Sequence, residues 1–470
     1  MSSITAPTYD PTSTAQAMAQ KTTAAAQQML TSQTATASAT AKALSSLSSA
    51  ISAFQSSLAS LTGLGKSMLA QRATFSDTTI GTATAKPTAP ASSYSLFVDQ
   101  LATASQVSYA PQNGAAATGT LTISLAAPDP AATPPAASSP PTASFTVDLS
   151  AAESDGVAGL SVREVAIAIN NASQNAGKVS AGVVTVNGVS QLVLTSNNTG
   201  EANTVWLESS VDASGVPEYD LGARTEVTQA QDAIIHYGST AITQASNTFT
   251  NIDGVSMTFT RAQAAGEKPF TLTVGSDTSG TVSNVQAFVD AYNKLKTAID
   301  GLVDAGDVAN GKSAGAFAHD AGVKALQQRL VGLLRPAGST SLARYGIVAS
   351  RDGTLTVDSA RLTKQLSVSP SGLDQLIGSA SLSNSTGVAG ALNTYLNNWS
   401  NSATGQIKNR TDANSKLQSD LTDRQANLDA QFDAAYQRYL KQFTELQTLQ
   451  ATMNSNVSMF DALFGNDKSN

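Results

Sequence analysis

One stretch of the chain formally matches a phosphate-binding loop. Gly306-Asp-Val-Ala-Asn-Gly311-Lys312-Ser313 fits the pattern G-x-x-x-x-G-K-[ST]. That chemistry needs a buried strand before the loop and a helix starting at the Lys-Ser pair, so that backbone amides and the helix dipole face the phosphates. The residues before it instead carry helical spacing: Val285, Phe288, Val289, Tyr292, Leu295, Ile299 and Leu302. Ala-Gly-Ala follows Ser313, and no apolar helical face resumes until about Val323. A solvated connector explains the match without a nucleotide. The two histidines, His236 and His319, are equally uninformative: His236 sits in an alternating strand beside Tyr237. Asp352 and Asp358 are explained by a turn and a helix cap. Cysteine is absent, which removes thiol nucleophiles, Cys-based zinc sites and disulfides. No G-x-S-x-G, H-E-x-x-H or calcium-loop spacing occurs. The sequence therefore offers no catalytic, cofactor-binding or metal-ligating set, and we expect a non-enzyme that needs no cofactor.

Composition points the same way. At 470 residues the chain has room for three or four domains. A net charge of −7 argues against nucleic acid as a partner. No run of eighteen apolar residues exists, so no membrane span is expected. The first thirty residues lack a basic segment followed by an apolar one, so a cleaved secretory signal is not expected either.

What remains is periodicity. From Gln406 to Phe464, apolar residues recur at steps of three and four: Leu421, Leu428, Phe432, Ala435, Tyr439, Phe443, Leu446, Leu449, Met453, Val457 and Phe460. Unbroken, that is an amphipathic helix roughly 90 Å long. A stripe of that length needs a partner. The other chain end repeats the spacing with Leu44, Leu47, Ile51, Phe54, Leu58 and Leu61. We expect these six to pair inside one subunit with Leu421, Leu428 and Phe432. Leu446, Leu449, Met453, Val457 and Phe460 are then left as a leg facing neighbouring subunits. Residues 1–36 are Ser, Thr, Ala and Gln with few large apolar groups, and are expected to order only in an assembly.

Between the helical ends the period changes to two. Strands are expected at Tyr94–Val98, Leu121–Leu125, Phe145–Leu149, Val183–Val186, Leu192–Thr195, Ala233–Ile235, Val255–Phe259 and Phe270–Val274. Asn187-Gly188 and Asp253-Gly254 read as hairpin turns, and Ser161 as the cap of a short helix. A proline-rich connector runs from Pro128 to Pro141. A second helix is expected over Val323–Leu334, with Pro336 beyond it. The fold class is α+β and multidomain: long N- and C-terminal helices form a coiled-coil or helical bundle, with β-rich domains inserted. The expected division is terminal legs at 1–36 and 441–470, a helical bundle at 37–78 and 277–440, an inner β domain at 79–112 and 226–276, and an outer β domain at 113–225.

Several of these stretches resemble the flagellar hook-associated protein 2 family. They are Ala91-Ser-Ser-Tyr-Ser-Leu-Phe-Val-Asp-Gln-Leu-Ala102, Ile252-Asp-Gly-Val-Ser-Met-Thr-Phe259 with Phe270-Thr-Leu-Thr-Val274, and Val285-Gln-Ala-Phe-Val-Asp-Ala-Tyr-Asn293. Tyr345-Gly-Ile-Val348 with Arg351-Asp-Gly-Thr-Leu-Thr-Val-Asp358, and the closing helix from Gln425, complete the order. The resemblance departs at the N-terminus, where Tyr9-Asp-Pro11 replaces the family's Gly-Leu-Asp element. It implies a homo-oligomeric ring capping the distal end of the bacterial flagellar filament and promoting flagellin polymerisation. Flagellin, an export chaperone and the type III export apparatus would be its partners. It also implies an extracellular location reached without a cleaved signal peptide. Another flagellar axial protein, or a tip adhesin binding host glycan or mucin, is the alternative.

Overall fold

The computed structural model describes residues 10–111, 119–154, 156–157, 159–335 and 341–464. Tyr9, Pro336 and the outermost parts of both expected legs, 1–9 and 465–470, lie outside the described residues. Eight α-helices are seen among them: α1 (Pro11–Thr62), α2 (Val162–Asn171), α3 (Thr278–Val303), α4 (Ala321–Leu333), α5 (Ser359–Val368), α6 (Pro370–Ile377), α7 (Gly387–Ser400) and α8 (Gln406–Phe464). The chain divides into two compact units. One is the β-rich insertion Leu69–Gly280; the other is the helical body formed by the residues on either side of it.

The β-rich unit holds two hydrophobic cores. In the first, a five-stranded antiparallel sheet runs in the order Ala70–Phe75, Phe270–Asp277, Ser92–Gln100, Ala233–Tyr237, Thr240–Gln244. A three-stranded sheet (Thr248–Phe249, Val255–Phe259, Gly81–Ala85) contributes to the same core. Alternating residues from both sheets meet there, and Phe75 lies 5.6 Å from Phe259 and 5.0 Å from Phe270, centroid to centroid. Aromatic pairs at such separations add to area burial.

The second core joins a four-stranded sheet (Arg224–Thr228, Ala104–Tyr109, Val189–Thr199, Val179–Val186), a three-stranded sheet (Ala143–Asp148, Thr120–Leu125, Val205–Ser209) and α2. Helix α2 starts with a reciprocal cap. The Glu164 amide donates to Ser161 Oγ at 3.3 Å, and the Ser161 amide donates to Glu164 Oε2 at 3.0 Å. These bonds, with those from Ser154, hold the Glu164 carboxyl down at about 2. The helix then lays Val162, Val165, Ala166 and Ile169 into the core. Asn187 (φ 52°) and Gly188 (φ 80°) make the expected two-residue hairpin turn.

In the helical body, α1 is one continuous helix. Asp10 caps it by accepting from the amides of Thr12 and Ser13, and Pro11 occupies the first helical position. Residues 11–36 thus belong to one helix continuous with the stripe that follows them. The reason is tertiary: Ala15, Ala19, Leu30 and Ala37 are buried, and small residues bury without needing a large apolar surface. Farther along, Leu44, Leu47, Ile51, Phe54 and Leu58 are fully buried, while Leu61 is half-buried. Phe54 meets Tyr292 of α3 edge-on at 6.4 Å, and Gln55 donates to Asn393 of α7 at 2.9 Å.

The phosphate-loop lookalike follows α3, not a strand, and no helix starts at Lys312. Asp307 and Lys312 exchange backbone hydrogen bonds of 2.8 and 2.9 Å, and the Lys312 ammonium pairs with Asp304. These bonds close the segment into a connector whose lysine is already paired.

Candidate assembly surface on the terminal helices

The residues that sequence reasoning examined for chemistry are dispersed. His236 lies 3.6 Å from Asp99, and His319 is exposed. Asp352 accepts from the Thr354 amide in its turn, and Asp358 caps α5. Among the described residues no group of three or more His, Cys, Asp or Glu is placed to hold a metal ion, and no helix is long and apolar enough to cross a membrane.

The two terminal helices do come together. Gln27 and Gln425 exchange side-chain amide bonds of 3.0 Å, and Asn414 Nδ2 donates to the Ala37 carbonyl at 3.0 Å. Moving towards the start of α1 therefore moves towards the end of α8: the pair is antiparallel. The seam is a cluster of Leu30, Ala37, Leu421 and Leu428. Nearer the chain start, a hydrogen bond with Thr22 and another with Arg438 hold the Tyr439 phenol below its ordinary value. Ala15 and Ala19 are completely buried. Small side chains on one helix allow close approach of the larger ones on its neighbour.

This register corrects the expected pairing. Leu421 and Leu428 pack on Leu30 and Ala37, not on the stripe from Leu44 to Leu61. Extending the register from Ala37 and Asn414, α8 begins at Gln406 opposite about residue 45 of α1. The stripe beyond that point belongs to the body, against α3 and α7. Helix α7, which buries Val388, Leu392, Leu396 and Trp399, was missed. Its signal was legible in the 3-4 spacing of those four residues. Phe432 is half-buried and stacks on Tyr436, with ring centroids 6.5 Å apart.

The same register shows where α1 runs out. About sixteen residues separate Gln27 from Pro11, so equal rise carries the partner position on α8 from Gln425 to about Lys441. Beyond it the stripe emerges. Leu421 and Leu428 are 3% and 7% exposed, whereas Leu446, Leu449, Met453, Val457 and Phe460 are 42–57% exposed. Met459 and Leu463 widen this surface. Sequence reasoning had not named these last two, which lie just off the stripe. Scattered exposed apolar residues are ordinary; an aligned row on one helix marks an interaction surface.

Comparisons with known proteins bear on what that surface serves. The chain matches the family model for the flagellar hook-associated protein 2 C-terminus over residues 230–455 and that for its N-terminus over residues 8–105. The lateral flagellar hook-associated protein 2 of Vibrio parahaemolyticus is 32% identical over 386 residues, which is 81% of this chain and 83% of that protein. The B-type flagellar hook-associated protein 2 of Pseudomonas aeruginosa is 31% identical over 411 residues, 82% of this chain and 81% of its own. The crystal structure of the flagellar cap protein FliD D1-D2-D3 domains from Escherichia coli gives a TM-score of 0.57 at 26% identity, covering 79% of this chain and 99% of that one. The chain belongs to the flagellar hook-associated protein 2 family, whose members are flagellar filament cap proteins.

Proposed function

We propose that this chain caps the distal end of the bacterial flagellar filament, outside the cell, and promotes flagellin polymerisation there. It acts as a structural assembly protein without catalytic residues, in a ring of its own copies. The observation that carries the mechanism is the emergence of the α8 stripe beyond Pro11 of α1. Leu446, Leu449, Met453 and Val457 form a row that the helical body leaves exposed, available to neighbouring copies and to flagellin. The covered seam holds the leg to the body while the exposed row makes the assembly contacts.

Deleting the gene tests this reading. Loss of swimming with monomeric flagellin accumulating in the medium is expected; normal filaments without leaked flagellin overturn it. Export through the flagellum's own type III apparatus, with a dedicated chaperone and no cleaved signal, belongs to the same reading. The mass of the protein recovered from the medium checks the last point: a product shortened at its N-terminus by a signal peptide's length contradicts it.

A further inference from the structure

The helical body carries its charge unevenly. From Ala321 to Lys364 the chain has seven basic residues and two acidic ones, in a molecule of net charge −7. All seven are exposed, and among the described residues none of them makes an ion pair. Two, Arg335 and Arg351, line one cleft between α3, α4 and the hairpin of Ile347–Ala349 with Leu355–Val357. The other charges of that cleft are spent within the body. Lys296 is buried with its ammonium 2.6 Å from Asp300, which also accepts from Gln327 at 2.7 Å. Asp352 accepts from the Thr354 amide and hydroxyl in its turn. Two unpaired guanidiniums at one cleft suit carboxylates, which they can bind in a forked geometry.

The complement is built into the same body. From Thr411 to Asp433, α8 carries five acidic residues and two basic ones. Asp420 and Asp423 are exposed, off the seam that Leu421 and Leu428 make, and in no ion pair among the described residues. At i and i+3 they are neighbours on the helix surface. No residue of α8 lines the cleft, so the two charge patches do not meet within one copy. Asp320 at the start of α4 grips Arg410 near the start of α8, and each patch lies within roughly 20 Å of that pair by helix rise. Both therefore belong to the same end of the helical body.

We propose that the basic cleft of one copy docks on the acidic face of α8 in the next copy, with Arg335 and Arg351 reaching Asp420 and Asp423. The contact rests on the ring of copies proposed above and names what joins its members. Charge selects the geometry. A basic patch repels its own image, so a two-fold contact through it is excluded. Meeting a different patch of an identical body is a head-to-tail contact, the kind that repeats around a closed ring. Charge also selects the occupant, because the matching carboxylates are on this chain and are left unpaired by its own fold. Exposed ion pairs are individually weak and screened by salt, so the contact gives direction and register while other surfaces supply most of the affinity.

Charge reversal tests this in the full chain. Arg335→Glu with Arg351→Glu, Asp420→Arg with Asp423→Arg, and all four together are prepared and checked for folding by circular dichroism. None of these changes removes a buried group or a partner within the chain. Self-association is read by sedimentation at low salt. Either double variant is expected to weaken it at least about 10-fold, and the fourfold variant to return it to within about 3-fold of the unaltered chain, because opposite charges face each other again. Association of the unaltered chain should also weaken as salt is raised. An unaltered chain that stays monomeric overturns the ring and this contact together. Association that ignores salt, ignores the double variants, or is not repaired by the fourfold variant overturns the contact alone. Capping lost with association unchanged gives the basic cleft to flagellin, which overturns it as well.

Discussion

The two halves of α8 share one sequence pattern and meet different fates. From Leu421 to Ala435 the apolar stripe is covered; from Leu446 onward it is exposed. Nothing in the period of the stripe changes between them. What changes is the neighbour: among the described residues α1 begins at Pro11 and offers no surface farther along α8. A heptad-like stripe states that a helix wants a partner, and the length and register of the other helix decide how much of it is satisfied. In this chain the uncovered part is the row proposed above to make the assembly contacts.

The comparison can be broken most directly by removing the exposed half. A chain ending at Thr444 is expected to lose capping altogether, read as lost swimming and flagellin in the medium. Its helical body should keep its melting temperature to within about 2 °C, since it loses no buried side chain. A large fall in melting temperature would mean that the distal stripe is covered within the subunit.

Substitution within the covered half should do the reverse. Leu421→Ala or Leu428→Ala is expected to cost about 2–4 kcal/mol in denaturant unfolding of the helical body, from lost transfer energy and the cavity left behind. Asn414→Ala comes next. It removes a buried side-chain hydrogen bond to the Ala37 carbonyl, which still accepts from Gln418 at 3.4 Å, and should cost about 1 kcal/mol. At the small end, Leu449→Ala should change stability by less than about 0.5 kcal/mol while weakening capping. Equal stability losses for Leu449→Ala and Leu428→Ala would erase the distinction between the halves.

A pH scan sharpens the comparison by marking the other unit. The Glu164 carboxyl is held at about 2, below its ordinary 4.5, by the Ser161 and Ser154 hydrogen bonds. A depressed carboxyl contributes stability that is present above its unfolded value and is lost as pH falls from about 4.5 through about 2. The β-rich unit should therefore lose stability in that window. Glu164→Gln should flatten its pH dependence there and leave the α1–α8 seam unaffected.

Much of the architecture was legible in the residues. The alternating runs became strands, Asn187-Gly188 became a turn, Ser161 a cap, and the helical stripes at both ends became helices. The phosphate-loop pattern was rejected on the missing strand, and the structure closes that loop on itself. The helicity of residues 11–36 was not read, because hydropathy undervalues alanine at close helix contacts. Its marker was nonetheless present in Asp10-Pro11, a capping residue followed by the imino acid favoured at the first helical position. The register of the terminal helices was also not readable. Two stripes of equal period can slide by whole turns, and only the three-dimensional placement of polar pairs such as Gln27 with Gln425 chooses among the alternatives.

That antiparallel seam joins residues as distant as Ala37 and Asn414, 377 apart along the chain. Were the intervening residues flexible, closing such a loop would cost on the order of 5 kcal/mol beyond a constant. The β-rich unit lies wholly inside it, so its prior folding shortens the gap that the helices must close. Closing the seam is then the most non-local step in the helical body. A chain released before residue 406 has no seam at all, because its first helix has nothing to lie against. The seam therefore exists only once both chain ends are present, because Leu30 and Ala37 on one side need Leu421 and Leu428 on the other.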